Sequence, residues 1–333
     1  MKGEGIIGAA DTVTKAYIRK NEVFADAFNY FMYDGRQKIQ PEQLRELDST
    51  EIAILLNEKD TKDKTNKEKE ASEQKMVQKY RDLLKTATIM EDGEATYVLL
   101  GIENQTEVHY AMPVRNMLYD AMQYNQQVTE IAEKHKGKKG GKRQQKISTG
   151  EFLSGFYKNN KLIPVITLVL FFNPGEWDGP RSLFDMLDIS NPIFKKYAQD
   201  YKIHIISPKE ILESDLKKFS SSLREVIGCI KYSNDKNKLA AFIQDNPRMN
   251  IEVEAARVLE VITHTHIKRE EVDDMGNVNM CKAIQEMIQD GRDEGRVPLL
   301  VTLIQSGDIS LQRAAALMNM TPEEFQEKSK MIS

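Results

Sequence analysis

Asp82 and Glu103 are the residues of this sequence whose types and spacing most directly suggest chemistry. They bracket a stretch, 80–105, in which two apolar or near-alternating runs, 83–90 and 96–102, flank Glu91-Asp92-Gly93-Glu94. Asp-Gly is the favoured centre of a two-residue type I′ loop, so the pattern predicts a β-hairpin turning on Asp92 and Gly93. That register sets Asp82 opposite Glu103 with Cβ atoms roughly 4.5–5.5 Å apart, and the two-residue pleat puts Gln105 on the face of Glu103. Facing carboxylates repel. One expects a raised pKa, a basic neighbour, or a bound hard cation such as Mg²⁺. In Gly101-Ile102-Glu103-Asn104-Gln105 an apolar strand ends abruptly in polar groups, as where metal-dependent hydrolases place ligands at a sheet edge; the plain alternative is a strand emerging into water.

The elements that must position these groups follow from periodicity. An amphipathic helix is expected over 21–33, with Val23, Phe24, Phe28, Phe31 and Met32 on one side and Glu22, Asp26, Asn29 and Tyr30 on the other, stopped by Asp34-Gly35. Between residues 58 and 75, six acidic and six basic residues alternate with almost nothing apolar, which reads as a solvated helix or a loop insertion. Pro113 opens a second helix at a position where its missing N–H costs nothing, with Val114, Met117, Leu118, Ala121, Met122, Val128 and Ile131 as its expected buried stripe. It dissolves into the run 134–146, which holds seven Lys or Arg residues and three glycines and reads as a basic loop. The most strand-like run is 163–172, a buried central strand by composition, and 201–207 is a last strand. From Ile211 onward the signals are helical, with starts at Ser214 and Ser222, a helix over 251–263, and two short tail helices begun by Ser310 and by Thr321-Pro322-Glu323-Glu324.

Composition narrows the function classes. The 333-residue chain carries a formal net charge of −4, which excludes neither DNA nor RNA, because binding depends on where positive charge clusters. No apolar run approaches the roughly 20 residues that span a bilayer, and Met1-Lys2-Gly3-Glu4 lacks the basic and apolar stretches of a signal peptide, so no membrane partner and a cytoplasmic location are expected. Cys229 and Cys281 are too few for a disulfide framework or a cysteine zinc site. His264 and His266 have no third ligand in view. The sequence has no Gly-x-Ser-x-Gly, no glycine-rich phosphate loop and no dinucleotide fingerprint.

Longer words carry a resemblance. Tyr80-Arg81-Asp82-Leu83-Leu84-Lys85, Leu100-Gly101-Ile102-Glu103-Asn104-Gln105-Thr106, Ala111-Met112-Pro113-Val114-Arg115, Tyr119-Asp120-Ala121, Leu162-Ile163-Pro164-Val165-Ile166-Thr167-Leu168-Val169 and Trp177-Asp178-Gly179-Pro180 resemble the bacterial recombination-promoting nuclease and putative transposase family, within the PD-(D/E)XK nuclease superfamily. The resemblance covers roughly residues 20 to 210. It implies an α/β fold over 1–210, a PD-(D/E)XK nuclease-like core with a mixed central sheet flanked by helices, carrying 58–75 as a charged insertion and 134–146 as a basic loop, followed by a helical C-terminal region over 211–333.

What it implies about chemistry is a metal-dependent DNA endonuclease linked to recombination or mobile-element biology. Asp82 matches the metal-binding aspartate of the second core strand and Glu103 the glutamate of the third. Gln105 stands where most of the superfamily has lysine and would orient the attacking water. Mg²⁺ or Mn²⁺ would be held by Asp82, Glu103 and the Asn104 carbonyl, with Asp26 as the preferred acidic residue from the first helix and Glu22 second. Arg115 and Tyr119 would touch a phosphate or support the carboxylates. Lys136, Lys138, Lys139, Lys142 and Arg143 would neutralise DNA phosphates. The alternative is a non-catalytic nucleic-acid-binding or oligomerising interaction protein that retains the fold, with homo-oligomer contacts through the helical C-terminal region.

Overall fold

Two helices, α1 (Gly3–Ile18) and α2 (Asn21–Tyr33), open the chain in a computed structural model that describes residues 3–47, 82–91, 94–137, 147–244, 246, 248–263, 272–273, 275–281, 296–318 and 320–332. The charged stretch 58–75, the hairpin tip Asp92-Gly93, His264, His266 and, in the basic run, Lys138, Lys139, Lys142 and Arg143 lie outside the described residues. Helix α2 ends where expected. Asp34 is left-handed at φ 55° and Gly35 at φ 83°, and a Cβ on Gly35 would stand 2.6 Å from the Lys218 carbonyl oxygen, so only glycine serves there. Helix α1 lies ahead of any element expected from the sequence.

Five strands form the main sheet, in the order β1 (Arg45–Glu46), β2 (Leu83–Glu91), β3 (Glu94–Gln105), β4 (Val165–Phe171), β5 (His204–Ile206). The first three pair antiparallel and the last two join in parallel, which makes the sheet mixed. Leu83 pairs with Ile102 and Glu91 with Glu94, the register that a turn on Asp92-Gly93 requires. The parallel step from β3 to β4 needs a crossover, supplied by α3 (Met112–Gly137) and the one-turn α4 (Thr149–Ser154). Another short helix, α5 (Pro192–Tyr197), follows β4.

The pleat divides the central strands between two cores. Leu100, Ile102, Leu168 and Leu170 face a large cluster with Tyr17, Phe24 and Phe28 of the first two helices. Val169 and Phe171 face the other way, onto Met112 and Trp177, and Leu84, Leu99 and Val165 form a smaller group. Each fully buried aliphatic or aromatic side chain contributes about 1.5–3 kcal/mol relative to exposure. Helix α3 departs from its expected apolar stripe: Val114 and Leu118 are 40% exposed, while Asn116, Tyr119, Asp120 and Gln123 are buried. The physical reason is polar pairing with the sheet layer. Asp120 accepts from Thr167 Oγ1 at 2.6 Å and from the Tyr201 hydroxyl at 2.5 Å, and the Tyr124 hydroxyl accepts from the Val165 amide.

Beyond β5 the chain continues into the same large core. Helices α6 (Leu223–Tyr232), α7 (Lys236–Gln244) and α8 (Val253–Thr263) are joined by a two-stranded sheet, β6 (Asn250–Glu252) with β7 (Asn277–Asn279), in a region whose sequence reads as wholly helical. Leu223, Ile227, Ile230, Leu259 and Met280 belong to one cluster with Phe24, Leu100 and Leu168, so no break in the core falls at residue 210. The tail, a helical stretch at 296–305 with helices Leu311–Leu317 and Pro322–Ile332, gathers its own cluster around Val297, Ala314 and Phe325. Both tail starts are capped as the sequence predicts: Ser310 accepts from the Arg313 amide, and Thr321 and Glu324 exchange bonds. Among the described residues no helix is long and apolar enough to cross a membrane.

Candidate functional site

The carboxyl end of β3 gathers charge from three directions. Glu103 points to the α3 face, where it is fully buried and its Oε2 lies 3.1 Å from the Arg115 guanidinium. Arg115 is steadied in turn by its Nε–H, which donates to the Tyr119 hydroxyl at 3.3 Å one helical turn on. Burial pulls the Arg115 pKa down, but the charge of Glu103 and the contacts with Tyr119 outweigh it and leave it raised. The Tyr119 phenol is also raised, first by burial and then by the Glu103 carboxylate. Arg115 and Tyr119 thus take the supporting role of the two expected for them.

Asp82 lies just ahead of the β2 ladder, in line with Glu103 by register, and its side chain is only 9% exposed. Its Oδ2 accepts the Asn104 amide at 2.9 Å, and its Oδ1 is 2.9 Å from Lys15 Nζ on α1. An extended strand turns the N–H and C=O of one residue to the same side, so the Asn104 carbonyl also faces the Asp82 edge. Of the three ways to relieve facing carboxylates, the one observed is a basic neighbour for each: Lys15 for Asp82 and Arg115 for Glu103.

Helix α1 supplies most of what sequence reasoning missed. Asp11, Thr14 and Lys15 recur at helical spacing on the side that meets β3. Lys15 Nζ donates to Asp11 Oδ2 at 2.7 Å while it pairs with Asp82, and Asn104 Nδ2 donates to Thr14 Oγ1 at 2.6 Å and reaches Asp11 Oδ1 at 3.4 Å. Burial lowers the Lys15 pKa, but its bonds and charges with Asp11 and Asp82 together raise it. The Asp11…Lys15 spacing of four residues, set beside Ala10, Val13 and Tyr17, was the available signal.

Asp26 goes elsewhere, which corrects its assignment as a metal ligand. It is buried, and its two oxygens accept from the amides and hydroxyls of both Ser220 and Ser221, just upstream of α6, at 2.6–3.1 Å. Glu22, one turn earlier, is exposed. Gln105 closes β3, with its carbonyl taken by the Phe172 amide and its side chain half-buried. Lys136 is exposed near the end of α3.

The site's donors are oxygens throughout: the carboxylates of Asp11, Asp82 and Glu103 and the Asn104 carbonyl. In kind they suit a hard divalent cation. In place, Lys15 and Arg115 already neutralise them, and among the described residues no group of three or more His, Cys, Asp or Glu side chains is arranged to hold a metal ion. A cation would bind only by displacing protein charge. Neither a family model, nor a curated protein, nor a solved structure matches this chain.

Proposed function

We propose that this chain is a metal-dependent endodeoxyribonuclease that hydrolyses phosphodiester bonds, with a nuclease-like core of the PD-(D/E)XK kind. The observation that carries the reading is the hairpin register, which brings Asp82 and Glu103 to the same end of adjacent strands, the second and third of the sheet. The order of helices, three antiparallel strands, crossover helix and parallel strand supports it as well.

Asp82, Glu103 and the Asn104 carbonyl would hold Mg²⁺ or Mn²⁺, with Asp11 rather than Asp26 as the acidic residue contributed by a helix. When bound, such an ion polarises a phosphate and lowers the pKa of a coordinated water. Arg115 and Tyr119 fix the Glu103 carboxylate, and Asn104 and Thr14 tie α1 to the strand. Gln105 would orient the attacking water through its amide, which donates and accepts but carries no charge. DNA would be gathered by the basic run from Lys134 onward.

A second reading has its own support. Both carboxylates are already ion-paired within the protein, and Gln105 supplies no positive charge, which favours a nucleic-acid-binding protein that keeps the fold without cleaving. Plasmid cleavage with Mg²⁺ or Mn²⁺ separates the two. The parent chain is expected to nick or linearise DNA, and Asp82→Asn or Glu103→Gln to lose at least roughly 100-fold in rate with the fold retained. Equal cleavage by parent and Asp82→Asn would place the chemistry elsewhere, and salt-dependent binding with no cleavage by the parent would favour the second reading.

A further inference from the structure

Lys15 is bonded to two acidic side chains at once, Asp11 at 2.7 Å and Asp82 at 2.9 Å, from two different elements. A protein ammonium bridging two carboxylates does what a small hard cation would do between them. It neutralises their repulsion and draws their oxygens together. The two cannot occupy the same oxygens, because Asp82 Oδ2 is committed to the Asn104 amide and Oδ1 faces Lys15. Lys15 is also free to leave. Its side chain is 38% exposed, on a flexible four-carbon stem, whereas Arg115 lies between Glu103 and Tyr119.

We propose that Lys15 competes with a divalent cation for Asp11 and Asp82, and so sets the metal affinity of the site. The inference rests on the metal-dependent reading given above. It assigns Lys15 a positioning role: in its bridging place it keeps Asp11, Asp82 and the end of α1 in register, and it yields that place when a divalent ion arrives. Affinity then reflects the difference between two occupants of the same oxygens, and tight binding is not expected of the parent chain.

The test is direct Mn²⁺ binding to the full chain by calorimetry, with no DNA present, comparing the parent with Lys15→Met and Lys15→Arg. Removing the competing charge should tighten Mn²⁺ binding at least tenfold in Lys15→Met, while Lys15→Arg stays within about threefold of the parent. A second measurement needs no variant. Acetylation of Lys15, followed by mass spectrometry, should speed up several-fold when Mn²⁺ is added, while the buried Lys85, bonded to the Arg19 carbonyl and to Asn21, should not change. Equal Mn²⁺ affinities in parent and Lys15→Met, or Mn²⁺ binding that leaves Lys15 acetylation unaltered, would overturn the inference alone and leave the metal reading standing. If neither parent nor Lys15→Met takes up Mn²⁺ at millimolar concentration, the metal reading falls and takes the inference with it.

Discussion

Replacing Arg115 with Met should destabilise the fold more than replacing its partner, because the two ends of the pair are unequally buried. Glu103 is fully buried, whereas the Arg115 side chain is 28% exposed. Removing one member of a buried pair costs about 3–5 kcal/mol; the partial exposure of Arg115 moves the expected figure for Arg115→Met to about 2–3 kcal/mol. Glu103→Gln leaves a guanidinium that can turn toward water, so its expected cost is about 1 kcal/mol or less. The double variant should be more stable than Arg115→Met alone, since it no longer buries a carboxylate without its guanidinium. Urea unfolding at pH 7 reads all three. With a slope of about 2–3 kcal/mol per molar urea, Arg115→Met should lower the midpoint by about 1 M. The deficit should shrink as pH falls toward 5: a carboxyl buried without its cation favours the protonated form, so the folded variant binds more protons than the unfolded chain there and gains stability on acidification. A cost below about 0.5 kcal/mol with no coupling to Glu103, or a deficit that grows on acidification, would refute the reasoning.

Asp26→Ala should lower stability by about 2–4 kcal/mol, because four donors from Ser220 and Ser221 lose a shared ionised acceptor, while cleavage per folded molecule is unchanged; unfolding midpoints and specific activity measure the two separately. Burial raises the pKa of Glu225, against its bond from Asn246 and the charge of Arg248, so its ionised form costs stability above the folded pKa and the cost is relieved as pH falls through it. Glu225→Gln should therefore gain on the parent as pH rises from 4 to 7, and a flat or falling difference in urea midpoints would contradict this. Deleting 136–143 should weaken binding to all DNA sequences alike and flatten the salt dependence by about one unit of slope for each phosphate left without its cation. An unchanged slope in a fluorescence titration would show that the basic run does not touch DNA.

The hairpin was legible because its signals are local and agree: alternation sets the strands, Asp-Gly sets the turn, and a slip of one residue would reverse every side chain. The stop at Asp34-Gly35 and the caps at Ser310 and Thr321 were legible for the same reason. Helix α1 was not, since its apolar positions are largely alanines and its start is glycine-rich, so Asp11 and Lys15 went unseen with it. Asp26 was misread because its partners lie 194 and 195 residues further on. Periodicity marks a polar face without saying which distant segment will cover it. The same limit explains α3, whose buried side is held by Asp120, Thr167 and Tyr201 rather than by a hydrophobic stripe.

Helix α1 is a wall shared by two rooms. Asp11, Thr14 and Lys15 meet the end of β3, while Tyr17 and Ile18 belong to the large core against which α8 packs, and the Tyr17 hydroxyl joins Ser222, which donates in turn to Glu252. Whatever binds at Asp82 and steadies α1 must also steady α8, by mass action on the same folded state. The amides of α8 should therefore exchange with deuterium more slowly when the distant site is filled, and loosening α8 should weaken binding there by the same free energy.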